Sequence, residues 1–358
     1  MRKVFLLGLA MLLLGSFLFA DDAMVMPARM GRFYLAPSFI SSNDGVGDIK
    51  GREGELTMFN LGAALEHGLN DWITLALQWA PGVNLSSEIN QRLPMVNPIS
   101  GELMYSEKMQ LEDMGDLVVG AKVQVIGSAA PVRSETMRLA FAPGVYVPLS
   151  DGPDFEKEAE KIGKLESFTP TTLDNHVWGF GMRTYFDYIF SERFFINFYN
   201  EFSYYPFKRD VTKLGLTEYG TMQAINAGYA EYGTTVSGEG NFQYDLTFEI
   251  EPRYLTSINE GTILAFGLPF VYQTVPEVKY DFTAEGPAAA LAVADAEQYF
   301  SDMSVQSHIV SINPGIAVFF TNWALPVQFK LTYNVPVWGE NAAENRVLGL
   351  QARFYYRI

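Results

Sequence analysis

The chain has 358 residues, 25 Lys+Arg against 41 Asp+Glu for a net charge of −16, no cysteine, and 18% charged but 14% aromatic residues. That balance excludes an intrinsically disordered chain, and the lack of cysteine excludes disulfide frameworks and thiolate metal sites. With no basic face to neutralise phosphates, nucleic acid is excluded as a partner.

Arg2 and Lys3 precede an unbroken apolar run over 4–20, the layout of a secretory signal peptide. Cleavage is expected after Ala20, which leaves 21–358 as one domain and takes the charge from −16 to −18 because two positive residues depart. No cysteine stands near the cut to carry a lipid. Beyond the signal no apolar run reaches the roughly 18 residues of a transmembrane helix, so a membrane-spanning form has to be a closed barrel.

Apolar residues then alternate with polar ones. The period of two predicts strands near 32–40, 56–67, 72–81, 116–126, 136–149, 176–190, 193–207, 242–254, 264–270, 308–320, 327–337 and 348–358, twelve in all. In the eighth, for example, Phe242, Tyr244, Leu246, Phe248 and Ile250 oppose Gln243, Asp245, Thr247, Glu249 and Glu251. Short turns at 68–71, 127–134, 191–192, 257–260 and 321–324 alternate with longer stretches at 41–55, 82–115, 150–175, 208–240 and 273–307. That asymmetry belongs to an outer-membrane barrel with short periplasmic turns and long extracellular loops.

A soluble sandwich would alternate too. Three features favour the membrane: apolar faces rich in aromatics, opposite faces bearing Gly, Gln, Asn and full charges, and tryptophans at strand ends. Trp72 and Trp323 lie at short turns while Trp79, Trp178 and Trp338 lie near long loops, as two aromatic belts require. The expected fold class is therefore all-β, a transmembrane antiparallel up-and-down barrel of about twelve strands. Its last strand keeps apolar residues at alternate positions to Ile358, which resembles the C-terminal signal read by the bacterial barrel-assembly machinery, although Ile replaces the usual Phe.

Several inward-parity residues are candidates for lining a pore. Glu201 on the seventh strand and Asp245, Glu249 and Glu251 on the eighth form an acidic group. Lys122, Arg138, Lys330 and Arg353, with Arg357, come from the fourth, fifth, eleventh and twelfth strands, on other arcs of the cylinder. Two readings stand: opposed charged walls set a transverse field across the lumen, or these charges, with Arg183, Asp187 and Arg253, pair inside a filled barrel.

Pro37, Pro143, Pro252, Pro269 and Pro314 fall within strand patterns, where each removes a ladder donor. Ordinary bulges are one account; a gap at Pro143-Gly144 or Pro314-Gly315, through which an apolar solute leaves sideways into the membrane, is the other. In the loops, 154–166 and 287–300 read as helices that constrict the mouth or pack on other loops. The three histidines, His67, His176 and His308, have no serine at a spacing suited to a nucleophile and base, and read as interfacial polar residues. No zinc-ligand spacing, calcium loop or phosphate loop is present in the sequence, and no cofactor is expected.

The runs Gly31-Arg32-Phe33-Tyr34-Leu35-Ala36-Pro37, His67-Gly68-Leu69-Asn70-Asp71-Trp72-Ile73-Thr74-Leu75 and Gly115-Asp116-Leu117-Val118-Val119-Gly120-Ala121-Lys122 resemble outer-membrane channel proteins of the phenol meta-pathway type. These are distantly related to the long-chain fatty-acid transporters, and the resemblance covers mainly the first third of the chain. It implies passive uptake of small, often hydrophobic compounds. Twelve countable strands rather than fourteen, and almost no plug segment between Asp21 and Gly31, separate the chain from the fatty-acid transporters. The expectation is a passive outer-membrane channel for small solutes, with lipid and the assembly machinery as partners. A surface barrel displaying adhesive loops is the alternative and a barrel hydrolase a distant third. No feature of the sequence sets an oligomeric state.

Overall fold

A computed structural model of the chain describes residues 22–46, 54–91, 113–151, 174–211, 225–226, 228–301 and 305–357. The expected helix at 154–166 lies outside the described residues. Twelve antiparallel staves close into a barrel: β1 (Met30–Val46), β2 (Gly54–Asn70), β3 (Ile73–Gln91), β4 (Leu117–Gly127), β5 (Met137–Val147), β6 (Gly179–Ser191), β7 (Phe194–Tyr205), β8 (Gln243–Asn259), β9 (Thr262–Gly267 and Phe270–Val275), β10 (Ser307–Ile312 and Gly315–Phe320), β11 (Val327–Glu340) and β12 (Ala342–Arg357). Closure is by β1 on β12, from Met30 opposite Arg357 to Val46 opposite Ala342.

The faces are inverted relative to a soluble core. On β8, Phe248 and Ile250 are 46% and 49% exposed, while Glu249 and Glu251 between and beside them are 5% and 2% exposed. The same holds around the wall: Phe33, Phe59, Leu77, Phe141, Phe202, Leu331 and Leu350 point out, and Arg32, Asn60, Asp187, Asn197, Glu201, Ser311, Asn334 and Gln351 point in. An apolar outer belt around a polar interior is what lipid demands of a spanning barrel. Among the described residues no helix is long and apolar enough to cross a membrane; the apolar outer belt is carried by strands.

Two staves are broken in the middle. Leu268-Pro269 interrupts β9 and Asn313-Pro314 interrupts β10, side by side, so the halves pair separately as Gly267 with Gly315 and Phe270 with Ile312. Ladder continuity is kept by Leu268 N–H donating to Pro252 O at 3.2 Å and Asn313 N–H to Pro269 O at 2.9 Å. The register is the same on both sides of the break, so Pro269 and Pro314 each remove a ladder donor without inserting a bulge.

Several staves run past the predicted ends. β3 was expected to stop at 81 and continues to Gln91 through Pro81-Gly82, and β9 continues to Val275. Outside the barrel, three short strands, Arg209–Asp210, Thr235–Asn241 and Lys279–Glu285, form a sheet covered by helix α1 (Ala289–Ser301). Its core is Val211, Ile225, Val236, Phe242, Val278, Phe282, Ala292, Ala296 and Phe300, seated on Val177 and Tyr205 at the barrel rim. The predicted helix at 287–300 therefore packs on other loop segments.

Candidate functional site

The lumen is built from cross-strand charge pairs. Arg32 stands opposite Glu66, Arg138 opposite Asp187 and Arg183 opposite Glu201, with N–O distances of 2.6, 3.3 and 2.8 Å. Direct cross-strand neighbours lie close enough to pair without any reach. Arg253 adds Glu251 of its own strand at 2.7 Å. Arg353 donates to Gln351 at 3.0 and 2.7 Å and stacks over Tyr34, and Lys330 lies inward beneath Gly315. Charges drawn out of bulk water are stabilised beside partners, and these four ion pairs supply them locally.

Glu201 is the centre of the most developed of these groups. It accepts from Arg183 Nε, from the Tyr146 hydroxyl at 2.7 Å and from the Tyr199 hydroxyl. Arg183 also donates to Gln78, whose amide reaches the Tyr34 hydroxyl at 3.3 Å. Asp245 sits above, next to the Tyr205 hydroxyl.

The segment before β1 overturns one expectation. It is short, but it enters the lumen from the periplasmic rim and lies across it. Ala28 N–H donates to Asp71 at 3.0 Å and Met26 N–H to Thr74 Oγ1 at 2.7 Å. Lys122 Nζ then donates to the carbonyls of Met24 and Asp22 at 3.3 and 2.8 Å, and Gln124 to that of Ala23 at 2.8 Å. At the far side Ala23 N–H faces both Asp187 carboxylate oxygens at 3.3 and 3.2 Å, and the Asp22 carboxylate meets Arg253 at 3.4 Å. The strap therefore spans from the β2–β3 turn to β8, with Ala23 fully buried against Ala140, Tyr185 and Tyr199. Sequence reading missed it because a plug was judged by length, whereas six residues in extended form cover about 20 Å, enough to cross a small barrel.

Beside the strap lies a cavity of about 40 Å³ lined by Met24, Gln78, Lys122, Tyr146, Arg183 and Tyr185 on the lumen side. Room for a water is about 10–15 Å³ on this measure, so the space holds a few waters and is no wide pore. Its other lining residues include Ala121 with Lys122 on β4 and Ala142 with Pro143 on β5. With glycine at 120 and 144, the backbone of both staves is laid bare to the cavity at Ala121 and Pro143. The ladder is interrupted at that place: Gly120 pairs with Gly144 and Val123 with Phe141, with no pairing between. Pro143 has no N–H to give.

One histidine sits otherwise than expected. His176 is no interfacial residue; its side chain is fully buried, 3.3 Å from Asp113 and 3.8 Å from Asp116. Ser150 Oγ lies 3.2 Å from His176 Nδ1, a contact across the β5–β6 connection that local spacing could not reveal. The grouping lacks a relay, because Ser150 Oγ is also 3.3 Å from the Asp113 oxygen that approaches Nε2. Acceptors on the two nitrogen axes of one ring diverge, so this carboxylate stands off the axis, and Nε2 makes no hydrogen bond. His308 stacks on Tyr272 and bonds its hydroxyl at 2.9 Å. Among the described residues no group of three or more His, Asp or Glu is arranged to hold a metal.

No family model and no curated protein matches the chain in sequence. Solved structures match it in fold. An outer membrane channel from Pseudomonas putida F1 superposes with a TM-score of 0.58 at 13% identity over 94% of this chain and 99% of that one. The transport unit of an autotransporter from Escherichia coli gives 0.45 at 10% identity over 96% and 95%, and a toluene transporter from Ralstonia pickettii gives 0.41 at 8% identity over 93% and 90%. The first of these likenesses establishes the fold, an outer-membrane β-barrel.

Proposed function

We propose that the chain is a passive outer-membrane channel for small, predominantly apolar solutes, which enter from the extracellular side and leave sideways through the wall between β4 and β5. The observation that carries this reading is that the lumen cavity abuts the β4–β5 wall at Ala121, Lys122, Ala142 and Pro143, where the ladder pairing lapses. The strap beneath it favours a sideways exit, since Lys122, Gln124, Asp187 and Arg253 hold it across the periplasmic path. An apolar compound gains nothing from continuing into water when lipid lies one residue away. The likeness to an outer membrane channel is compatible with this role.

The test is paired transport measurements on the refolded mature chain. In a planar bilayer the wild type is expected to pass little ionic current, while liposomes containing it take up a small uncharged aromatic faster than empty liposomes. Large steady conductance would replace the sideways route with an axial one. No uptake above empty liposomes would remove the channel reading and favour display of the extracellular cap, which has a hydrophobic core of its own.

A further inference from the structure

Three extracellular stretches converge on one buried polar hub. Asp113 and Asp116 come from the residues before β4, Ser150 and Asp151 from those after β5, and Asp174, Asn175 and His176 from those before β6. The Asp174 carboxylate accepts the Asp116 N–H at 2.7 Å, which ties the second connection to the first. Arg209, on the cap, donates to the Asn175 carbonyl at 2.5 Å and the Asp151 carbonyl at 2.7 Å. The next residue after His176, Val177, is 5% exposed and belongs to the cap's apolar core. The hub is therefore where the cap is fastened to the rest of the mouth.

We propose that this hub is a proton-operated latch, closed in mild acid with the cap seated on Val177, and loosened as pH rises.

The charges facing His176 and Asp116 are unbalanced when every group is ionised. The carboxyls are Asp113, Asp116 and Asp174 on the connections and Asp245 at the top of β8, against His176 and the Arg209 guanidinium, with the Tyr205 hydroxyl at the top of β7. Asp113 is 3% and Asp116 2% exposed, so water does little to dilute the excess negative charge. The Asp116 Oδ1 atom is buried without a hydrogen-bond donor. A buried surplus of carboxylates is relieved either by keeping protons or by moving apart.

The direction follows from linkage. Burial pushes Asp116 up from 3.8 to about 6 and Asp174 well above its usual range. A carboxyl whose closed-state pKa is raised contributes to closure fully below 3.8, and that contribution falls as pH climbs through about 6. Asp174 carries the same trend. Closure is therefore favoured by acid and weakened towards neutral and alkaline pH, whether or not any solute crosses the barrel.

The chain has no cysteine, so a single Val177→Cys reporter in the refolded mature barrel reads the seam between hub and cap by its rate of maleimide labelling. Tyr232→Cys, at a position 68% exposed, corrects for the pH dependence of the thiol. The corrected rate is expected to rise about tenfold or more from pH 4.5 to pH 8, a fraction of the roughly hundredfold that a carboxyl raised from 3.8 to about 6 allows. Asp116→Asn and Asp174→Asn, similar in shape and unable to ionise, should each flatten the rise. A corrected rate independent of pH, or a rise unchanged in both asparagine variants, would overturn the latch. Because labelling reports the cap alone, failure of solute uptake leaves this result standing, and failure of the latch leaves uptake untouched.

Discussion

Gly68 and Pro27 are in contact so close that a Cβ on Gly68 would lie 2.1 Å from the Pro27 carbonyl oxygen. The glycine closes β2 at the periplasmic turn, and the strap enters the lumen over it, with Arg29 N–H bonded to the Gly68 carbonyl at 3.1 Å. Only a residue without a side chain lets the backbone pass at that distance. Gly68→Val should expel the entrance of the strap while leaving the cross-strand ladder of β2 intact. The expected outcome is a several-fold rise in planar-bilayer conductance with unchanged barrel mobility on a gel; a wild-type conductance would mean that the strap does not govern the periplasmic path.

Lys122 holds the middle of the strap. Besides the two carbonyls it lies 3.9 Å from the Tyr185 ring centroid, so Lys122→Met removes charged hydrogen bonds of about 1.5–3 kcal/mol and a cation–π contact of about 0.5–2 kcal/mol. The methionine keeps the stem's packing, so the barrel should fold. Hydrogen exchange at the amides of 22–26 should quicken by at least about tenfold, since each 1.4 kcal/mol of lost holding energy is a factor of ten. Protection equal to the wild type would show that Asp187 and Thr74 suffice.

How far the sequence carried can be seen in these same residues. Parity put Arg183, Glu201, Glu249, Glu251, Arg253 and Arg353 on the face opposite the aromatic belt, because a two-residue period is a geometric property of a strand that needs no tertiary information. Which charges meet was beyond parity: Arg183 faces Glu201 through the register of β6 on β7, and register depends on turn lengths and bulges that the pattern does not reveal. Arg32 and Glu66 passed unnoticed for the same reason. The strap was invisible because Asp22, Ala23 and Met24 carry no periodicity; their position is dictated by Lys122, Gln124 and Asp187, about 100 or more residues away. The hub around His176 is likewise assembled from separate stretches of two connections, so no local spacing announces it.

Arg183 neutralises Glu201 in a place where water is scarce. Arg183→Met should therefore destabilise the barrel by about 3–5 kcal/mol, the cost of leaving one partner of a buried pair alone, and shift its urea midpoint down in lipid vesicles. Adding Glu201→Gln should recover most of that loss, because the amide oxygen still accepts from one tyrosine hydroxyl, its NH2 donates to the other hydroxyl oxygen, and no unpaired charge remains. If the double variant were as unstable as the single one, the group would owe its stability to the geometry of Arg183 and Gln78 rather than to charge balance.

Pro143 stands where the pairing of β4 with β5 lapses. Its neighbours make the staves approach tightly on one side: a Cβ on Gly120 would lie 2.6 Å from the Pro143 carbonyl, so the backbones are in contact at Gly120 and Gly144. One residue further the ladder lapses until Val123 meets Phe141. Pro143→Val supplies the missing N–H and a β-branched side chain suited to a strand, which should knit Ala121 to residue 143 and seal the passage to the lumen cavity. Uptake of a small uncharged aromatic into liposomes should then fall several-fold, while ionic conductance, which does not use the wall, stays at the wild-type level. Pro314→Val serves as the control, since the break in β10 is matched by one in β9 and bridged by backbone hydrogen bonds; its uptake should equal the wild type. Equal uptake in both variants would place the exit elsewhere, and a fall in both would mean that barrel shape in general, rather than this opening, sets the rate.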